Sequence, residues 1–272
     1  MRNTGSSEKK DGTTAPTTPP EPQSADPLPS GPLALLSSAA LAALSLLLPP
    51  HCSHCLSDTL PGAHLCKDCL AEAPKICAPF CQRCSQPFAG LIETPFRCPN
   101  CRSRRIHFTC AVSAYRNRGL VRECIHRFKY MRAFHLRHPL AHWLLEAFED
   151  PRLQNPRPDF LIPVPLHPVR KRERQFNQAE ELAHLVAPAL QTPVATALLR
   201  LRNTSTQTRL DRTARMENLR GAFAVRQDQQ VRHQHLVLID DVLTTGSTVD
   251  ECARILRRAG ARSVRVATVA RA

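Results

Sequence analysis

The stretch Leu236-Val237-Leu238-Ile239-Asp240-Asp241-Val242-Leu243-Thr244-Thr245-Gly246-Ser247-Thr248 decides the fold. Four apolar residues run into two adjacent carboxylates and then a small polar turn. This order predicts a buried strand over 235–239 that leads through a phosphate cradle into a helix. Carboxylates where a strand emerges can bind sugar hydroxyls. Backbone N–H groups of Thr245, Gly246, Ser247 and Thr248, at a helix start, can hold a phosphate dianion. Gly246 permits the tight turn and a close backbone approach. The implied ligand carries a ribose diol and a 5′-phosphate together. A P-loop is excluded, because no Lys follows Gly246.

Around this stretch, short apolar runs alternate with helical patterns. Leu120, Val121, Cys124, Ile125 and Phe128 share a helical stripe, with Arg122, Arg127 and Lys129 largely opposite. Further helices are expected over 139–149 and 177–187, and strands over 160–164, 195–199 and 264–269. Val249, Cys252, Ala253 and Leu256 mark the helix after the cradle, ended by Gly260. Alternating strands and helices imply an α/β fold with a parallel sheet that binds ligands at its carboxyl edge. A basic loop, His167 to Arg174, follows the 160–164 strand. The polar segment Arg202 to Arg215 is long enough to close over a bound ligand.

Upstream lies a different composition. Nine of the 12 cysteines fall between positions 52 and 101, eight of them in four Cys-x-x-Cys pairs. Such a turn puts two sulfurs on one side of a tight loop, and two turns complete a tetrahedron around zinc. Sequential pairing gives Cys52, Cys55, Cys66 and Cys69 as one structural site. Cys81, Cys84, Cys98 and Cys101 form the second. An interleaved pairing, or His51, His54, His64 or Cys77 as a substitute ligand, stays open at this level. Each ribbon is too poor in apolar residues to fold without metal. Arg97, Arg102, Arg104 and Arg105, beside Phe96 and Phe108, can grip phosphates and stack bases of a single strand.

The formal net charge is +14, which counts every thiol as neutral. Two tetrathiolate zinc sites would lower it to roughly +10. That still favours a polyanionic partner. Residues 1–32 are rich in Ser, Thr, Pro and charge and are expected to be a disordered tail. The apolar run between Pro32 and Pro49 spans 16 residues. A membrane-spanning helix needs about 20, so a helix packed on the protein is expected over 33–49 and no stable span. A signal peptide would not begin behind some thirty polar residues, which points to a reducing, cytoplasmic setting where zinc outcompetes disulfides.

The acidic strand end and its Thr/Gly turn resemble the PRPP-binding motif of type I phosphoribosyltransferases. The chain as a whole, from about residue 45 onward, resembles the ComF family of double-zinc-ribbon, phosphoribosyltransferase-like proteins associated with competence and DNA uptake. The matching blocks are Leu48-Pro-Pro-His-Cys52, Ile125-His-Arg-Phe-Lys129, Pro163-Val-Pro-Leu-His-Pro168, Arg174-Gln-Phe-Asn-Gln178, Gln207 with Leu210, and Asn218-Leu-Arg-Gly-Ala-Phe223. The resemblance implies a ribbon module over 50–109 and a phosphoribosyltransferase-like domain over 110–272. It places Asp240 and Asp241 at the ribose hydroxyls and the span Val242, Leu243, Thr244, Thr245, Gly246, Ser247 and Thr248 along PRPP. Mg²⁺ would accompany the diphosphate. Beside such a site, Arg170, Arg172 and Arg174 would stabilise leaving-group charge.

Three positions depart from the family pattern. Gln175 stands where a Gly usually precedes Phe-Asn-Gln, and Leu56 and Ser85 occupy knuckle positions often taken by Gly. Thr244 stands where 6-oxopurine transferases carry a carboxylate base, which disfavours hypoxanthine–guanine salvage. Three roles follow from the resemblance: an active transferase with another acceptor, a DNA-uptake factor that binds PRPP and single-stranded DNA, or a PRPP sensor that docks a protein.

Overall fold

A computed structural model describes residues 50–60, 62–92, 94–203, 219–226 and 231–272. The expected tail (1–32), the apolar helix (33–49) and most of the 202–215 segment lie outside the described residues. Among those described, no helix is long and apolar enough to cross a membrane.

Two short helices, α1 (Lys67–Ala71) and α2 (Pro99–Arg102), belong to the cysteine-rich part. Then come β1 (Ala111–Arg116), α3 (Gly119–Tyr130), α4 (Arg137–Ala147), α5 (Pro151–Gln154), β2 (Phe160–Pro163), α6 (Pro168–Arg174) and α7 (Gln178–Leu190). The chain continues through β3 (Leu198–Arg200), β4 (Phe223–Val225), β5 (His235–Leu243), α8 (Ser247–Arg258) and β6 (Ser263–Arg271). Four strands form a parallel sheet in the order β1-β6-β5-β2. The motif strand β5 is central. It extends past its expected end, through both aspartates, because Asp240, Val242 and Leu243 still pair with Thr268, Ala270 and Arg271 of β6.

Side chains alternate across a strand. Leu236 and Leu238 join the core formed with Val249, Cys252, Ala253 and Leu256 of α8. Val237 and Ile239 join the core formed with α3, α4 and α7. All four are fully buried, as a parallel sheet covered on both faces requires. The two ribbons divide in the same way. Cys52, Leu65 and Cys69 enter the α3–α4–α7 core, whereas Cys81, Cys84, Cys98, Cys101 and Phe108 enter the α8 core. The connection between them pairs with the edge of β1, through Ile76 N–H to Ala114 O (2.8 Å) and Arg116 N–H to Pro74 O (2.8 Å).

Two expectations change. The basic stretch after β2 is a helix, α6, started by Pro168 and by the His167 ring accepting from Val169 N–H, rather than a loop. The strand expected over 195–199 does not join the main sheet. Val194 makes one parallel bridge to Leu161, and β3 then turns away to pair antiparallel with β4. Its neighbour in sequence across the 202–215 segment is therefore also its neighbour in space.

The three residues that stand at glycine positions of the family all have left-handed backbones: Leu56 (φ 63°), Ser85 (φ 52°) and Gln175 (φ 70°). Leu56 and Ser85 close equivalent knuckles, donating to Cys52 O (3.0 Å) and Cys81 O (2.9 Å). Ser85 is compensated, because its buried hydroxyl donates to Ala111 O at 2.9 Å. Leu56 is 73% exposed and gains nothing comparable. A left-handed L-residue costs about 1–2 kcal/mol. Leu56→Gly and Gln175→Gly should each raise unfolding free energy by about 1 kcal/mol, and Ser85→Gly should lower it, measured by denaturant titration.

Candidate PRPP pocket and zinc sites

The structure groups the cysteines sequentially. Cys52, Cys55, Cys66 and Cys69 bring their sulfurs within 4.8 Å of one another, and so do Cys81, Cys84, Cys98 and Cys101. Sulfur–sulfur separations include 3.7 Å for Cys52–Cys69, 3.6 Å for Cys55–Cys66 and 3.7 Å for Cys84–Cys98. A tetrahedron with Zn–S bonds of about 2.3 Å has edges of about 3.8 Å, so both donor sets fit zinc. In each site the second pair sits on a helix start, Cys66 before α1 and Cys98 before α2. His51 and His54 are instead paired with Asp58 and Glu123. His64 stacks on His138, and Cys77 stands outside both groups.

At the carboxyl edge of the sheet a cleft of about 370 Å³ opens between α3, α6, α7, β3 and the end of β5. Asp240, Asp241, Val242, Thr244 and Thr248 line it, and cations converge from separate elements: Lys129 of α3, Arg174 of α6 and Arg200 of β3. Lys129 Nζ lies 2.7 Å from Asp241 Oδ2, with both side chains largely buried. Asp240 carries an ordinary backbone contact, accepting from Asp241 N–H at 2.9 Å. Burial first, and then the neighbouring charge of Asp241, push its carboxyl up to about 7, although Lys129 and Arg200 pull the other way. Burial holds the Arg200 guanidinium below its usual value.

Beyond Leu243 the chain turns at Gly246 (φ 75°) into α8. A Cβ there would stand at ordinary contact distance from the Arg104 guanidinium (3.4 Å), so what favours glycine is the left-handed backbone. Thr245 and Ser247 join hydroxyls at 3.0 Å across the turn. Thr248 lines the cleft, and Gly246, Ser247 and Val249 line a small recess beside it that also touches Asp240 and Thr244, at a helix start where an anion is favoured.

Of the expected leaving-group arginines, Arg174 lines the cleft and donates to Gln178 Oε1 at 3.0 Å. Arg170 faces Glu173, and Arg172 is exposed on α6. Arg97, Arg102 and Arg105 are exposed on the second ribbon, whereas Arg104 donates to Thr245 O at 3.1 Å. Lys129 and Arg200 were not singled out as site residues in the sequence. Lys129 is legible in hindsight as the polar end of the α3 stripe. Arg200 has no local signal, because only the turn of β3 away from the sheet brings it to Asp240. Asn177 caps α7 and donates to Val164 O at 3.1 Å, which fixes the α6–α7 junction at the cleft.

Comparison with known proteins follows the same division. Residues 177–272 match the phosphoribosyl transferase domain, and residues 43–102 match the double zinc ribbon domain. "Competence protein F" of Haemophilus influenzae is 29% identical over 226 residues, 81% of this chain and 96% of that protein. "DNA utilization protein YhgH" of Salmonella typhi is 34% identical over 208 residues, 74% of this chain and 88% of that protein. The chain belongs to the ComF family. "Competence protein ComFC" of Bacillus subtilis is 27% identical over 206 residues, 74% of this chain and 80% of that protein. In this family member the fold is a phosphoribosyltransferase-type parallel sheet joined to two four-cysteine clusters suited to structural zinc.

The two clusters differ in access. All four ligands of the second are buried, but Cys55 is exposed and Cys66 half-buried in the first. Thiol reagents reach exposed sulfur first. Treatment with such a reagent in the presence of a zinc-reporting dye should release two equivalents in two phases. Cys55→Ser should abolish the fast phase and leave the slow one.

Proposed function

We propose that this ComF-family chain binds PRPP with Mg²⁺ at the carboxyl end of β5 and acts in handling DNA during uptake. One observation carries the first part. Two consecutive carboxylates meet an anion-ready helix start in one cleft, with Lys129, Arg174 and Arg200 around them. A ribose diol suits Asp240 and Asp241, and a 5′-phosphate suits the turn from Thr244 to Thr248. Val242 and Leu243 carry the chain between the two. The names of the relatives, "Competence protein F" and "DNA utilization protein YhgH", support the second part. We assign residues 50–109 to the ribbon module and 110–272 to the PRPP-binding domain, in the cytoplasm.

Lys129 releases Asp241 when a sugar hydroxyl takes its place, and its ammonium then faces the diphosphate. Arg174 approaches from α6 with its guanidinium fixed by Gln178, a preorganised donor for departing charge, with Arg170 and Arg172 on the same helix. Asp240 and Asp241 would hold Mg²⁺ bound with PRPP, and the ion would add to the neutralisation of the diphosphate. This cationic wall also supports a second reading, transfer of the phosphoribosyl group to an acceptor that needs no carboxylate base at Thr244.

Calorimetric titration with Mg–PRPP tests the pocket. Asp240→Asn/Asp241→Asn should weaken binding by roughly a hundredfold or more, and equal affinity in that variant refutes the site. The pH dependence has a definite sign. Because folding raises the Asp240 carboxyl to about 7, ligand that needs it ionised must expel a proton below that pH. Affinity should rise by up to about tenfold per pH unit toward 7 and then level off. Asp240→Asn should flatten this profile. In ligand-free protein the same shift makes Asp240 lose stability as pH rises from its unfolded value through about 7.

Single-stranded DNA contact is assigned to the ribbon arginines Arg97, Arg102 and Arg105. Each phosphate contact contributes about 0.7 to the slope of log affinity against log salt. Arg102→Ala/Arg105→Ala should therefore reduce the slope by about 1.4 for an oligothymidine. An unchanged slope removes the ribbon from the DNA interface.

A further inference from the structure

Three consecutive carbonyls after the acidic pair are held from one side. Arg271 Nη1 donates to Leu243 O (2.9 Å) and Thr244 O (2.7 Å), and Arg104 Nη2 donates to Thr245 O (3.1 Å). In a trans peptide the C=O and the following N–H point in opposite directions. Fixing these carbonyls therefore turns the amides of Thr244, Thr245 and Gly246 away from the two guanidiniums. The next carbonyl, that of Gly246, accepts from Asp250 N–H at 2.9 Å inside α8. The cradle is thus set by what lies behind it.

Arg271 belongs to the sheet, but Arg104 belongs to the chain leaving the second ribbon. Residues 104–108 run along the cradle and are fastened at further points. His107 N–H donates to Asp250 Oδ1 at 2.7 Å, and its ring Nδ1 lies 3.2 Å from Asp250 Oδ2. Phe108 is buried beneath Gly246. On the other side, Arg83, between Cys81 and Cys84, donates to Ile106 O at 3.0 Å. Cys101 lies three residues before Arg104. Both knuckles of the second cluster therefore bear on this segment.

We propose that residues 104–108 form the rear wall of the phosphate cradle, with Arg104 as a positioning residue. Metal at Cys81, Cys84, Cys98 and Cys101 holds that wall in place. The second zinc site thereby serves PRPP affinity, whereas the first meets the core on the opposite face of the sheet through Cys52 and Cys69. This inference rests on the PRPP reading above.

The test uses the full chain with both metals bound and takes two readouts: the Kd for Mg–PRPP, and hydrogen–deuterium exchange of residues 243–249 without ligand. Arg104→Ala should raise Kd roughly tenfold, the worth of one hydrogen bond from a charged donor. Its loop amides should exchange faster, and zinc content should stay at two per chain. Arg104→Lys should recover part of the affinity, since an ammonium can still donate to Thr245 O. Arg258→Ala, an exposed guanidinium at the far end of α8, should match the native protein and control for net charge. Native-like affinity and exchange in Arg104→Ala would overturn the inference while leaving the PRPP site intact. Faster exchange in a chain that binds no PRPP, native protein included, would uphold the wall and defeat the PRPP reading.

Discussion

Consecutive residues of a β-strand point to opposite faces, so Asp240 and Asp241 enter one cleft from opposite sides of β5 and meet different close neighbours. This constraint organises the cleft. Asp241 lies on the face covered by α3 and has Lys129 within 2.7 Å. Asp240 lies on the face of Cys252, and the Lys129 and Arg200 charges act on it against the push of burial and of Asp241. The two carboxylates therefore differ in kind: one is neutralised, the other sits near its midpoint at neutral pH. A cleft that leaves one carboxylate partly protonated is one that gains by admitting a cation or a ring of hydroxyl donors.

The same alternation explains how a small sheet carries two metal modules. Each face needs cover beyond its helices, and each ribbon supplies some, with two ligands of the first site and all four of the second inside apolar cores. The ribbons are thus part of the domain's interior and not beads on a linker. Their sequence repeat extends to backbone detail, since Leu56 and Ser85 close matching turns with the same left-handed geometry. Ser85 recovers its cost through a buried hydroxyl, and Leu56, on the more open ribbon, does not.

The strand, turn and helix from Leu236 onward were legible because burial on both faces leaves an apolar run with no alternation, and the carboxylates interrupt it only where the strand meets the cleft. Cysteine spacing gave the metal groups for an equally local reason. Pairing of β3 with β4 was not legible. Residues 195–199 read as another sheet strand, and nothing nearby signals that the chain turns away into an antiparallel pair over Leu198–Arg200. Arg200 was hidden with it. Helix α6 was hidden because a run of arginines has no apolar period, and Pro168 and the His167 cap set its start instead. Arg104 shows the same limit from the other side: its composition suggested a solvent-facing phosphate grip, yet its partner is a carbonyl 141 residues away.

That long-range bond braces the turn at Gly246, which the proposed PRPP site uses as its phosphate cradle. A glycine at positive φ, flanked by threonine and serine, is a flexible solution to a tight turn, and flexibility weakens an anion site whose strength comes from aligned amides. Hydroxyl pairing between Thr245 and Ser247 removes some of this freedom. Guanidiniums on three successive carbonyls remove more, because each also fixes the amide on the opposite edge of its peptide plane. In the proposed cradle, preorganisation comes from charge placed behind the turn.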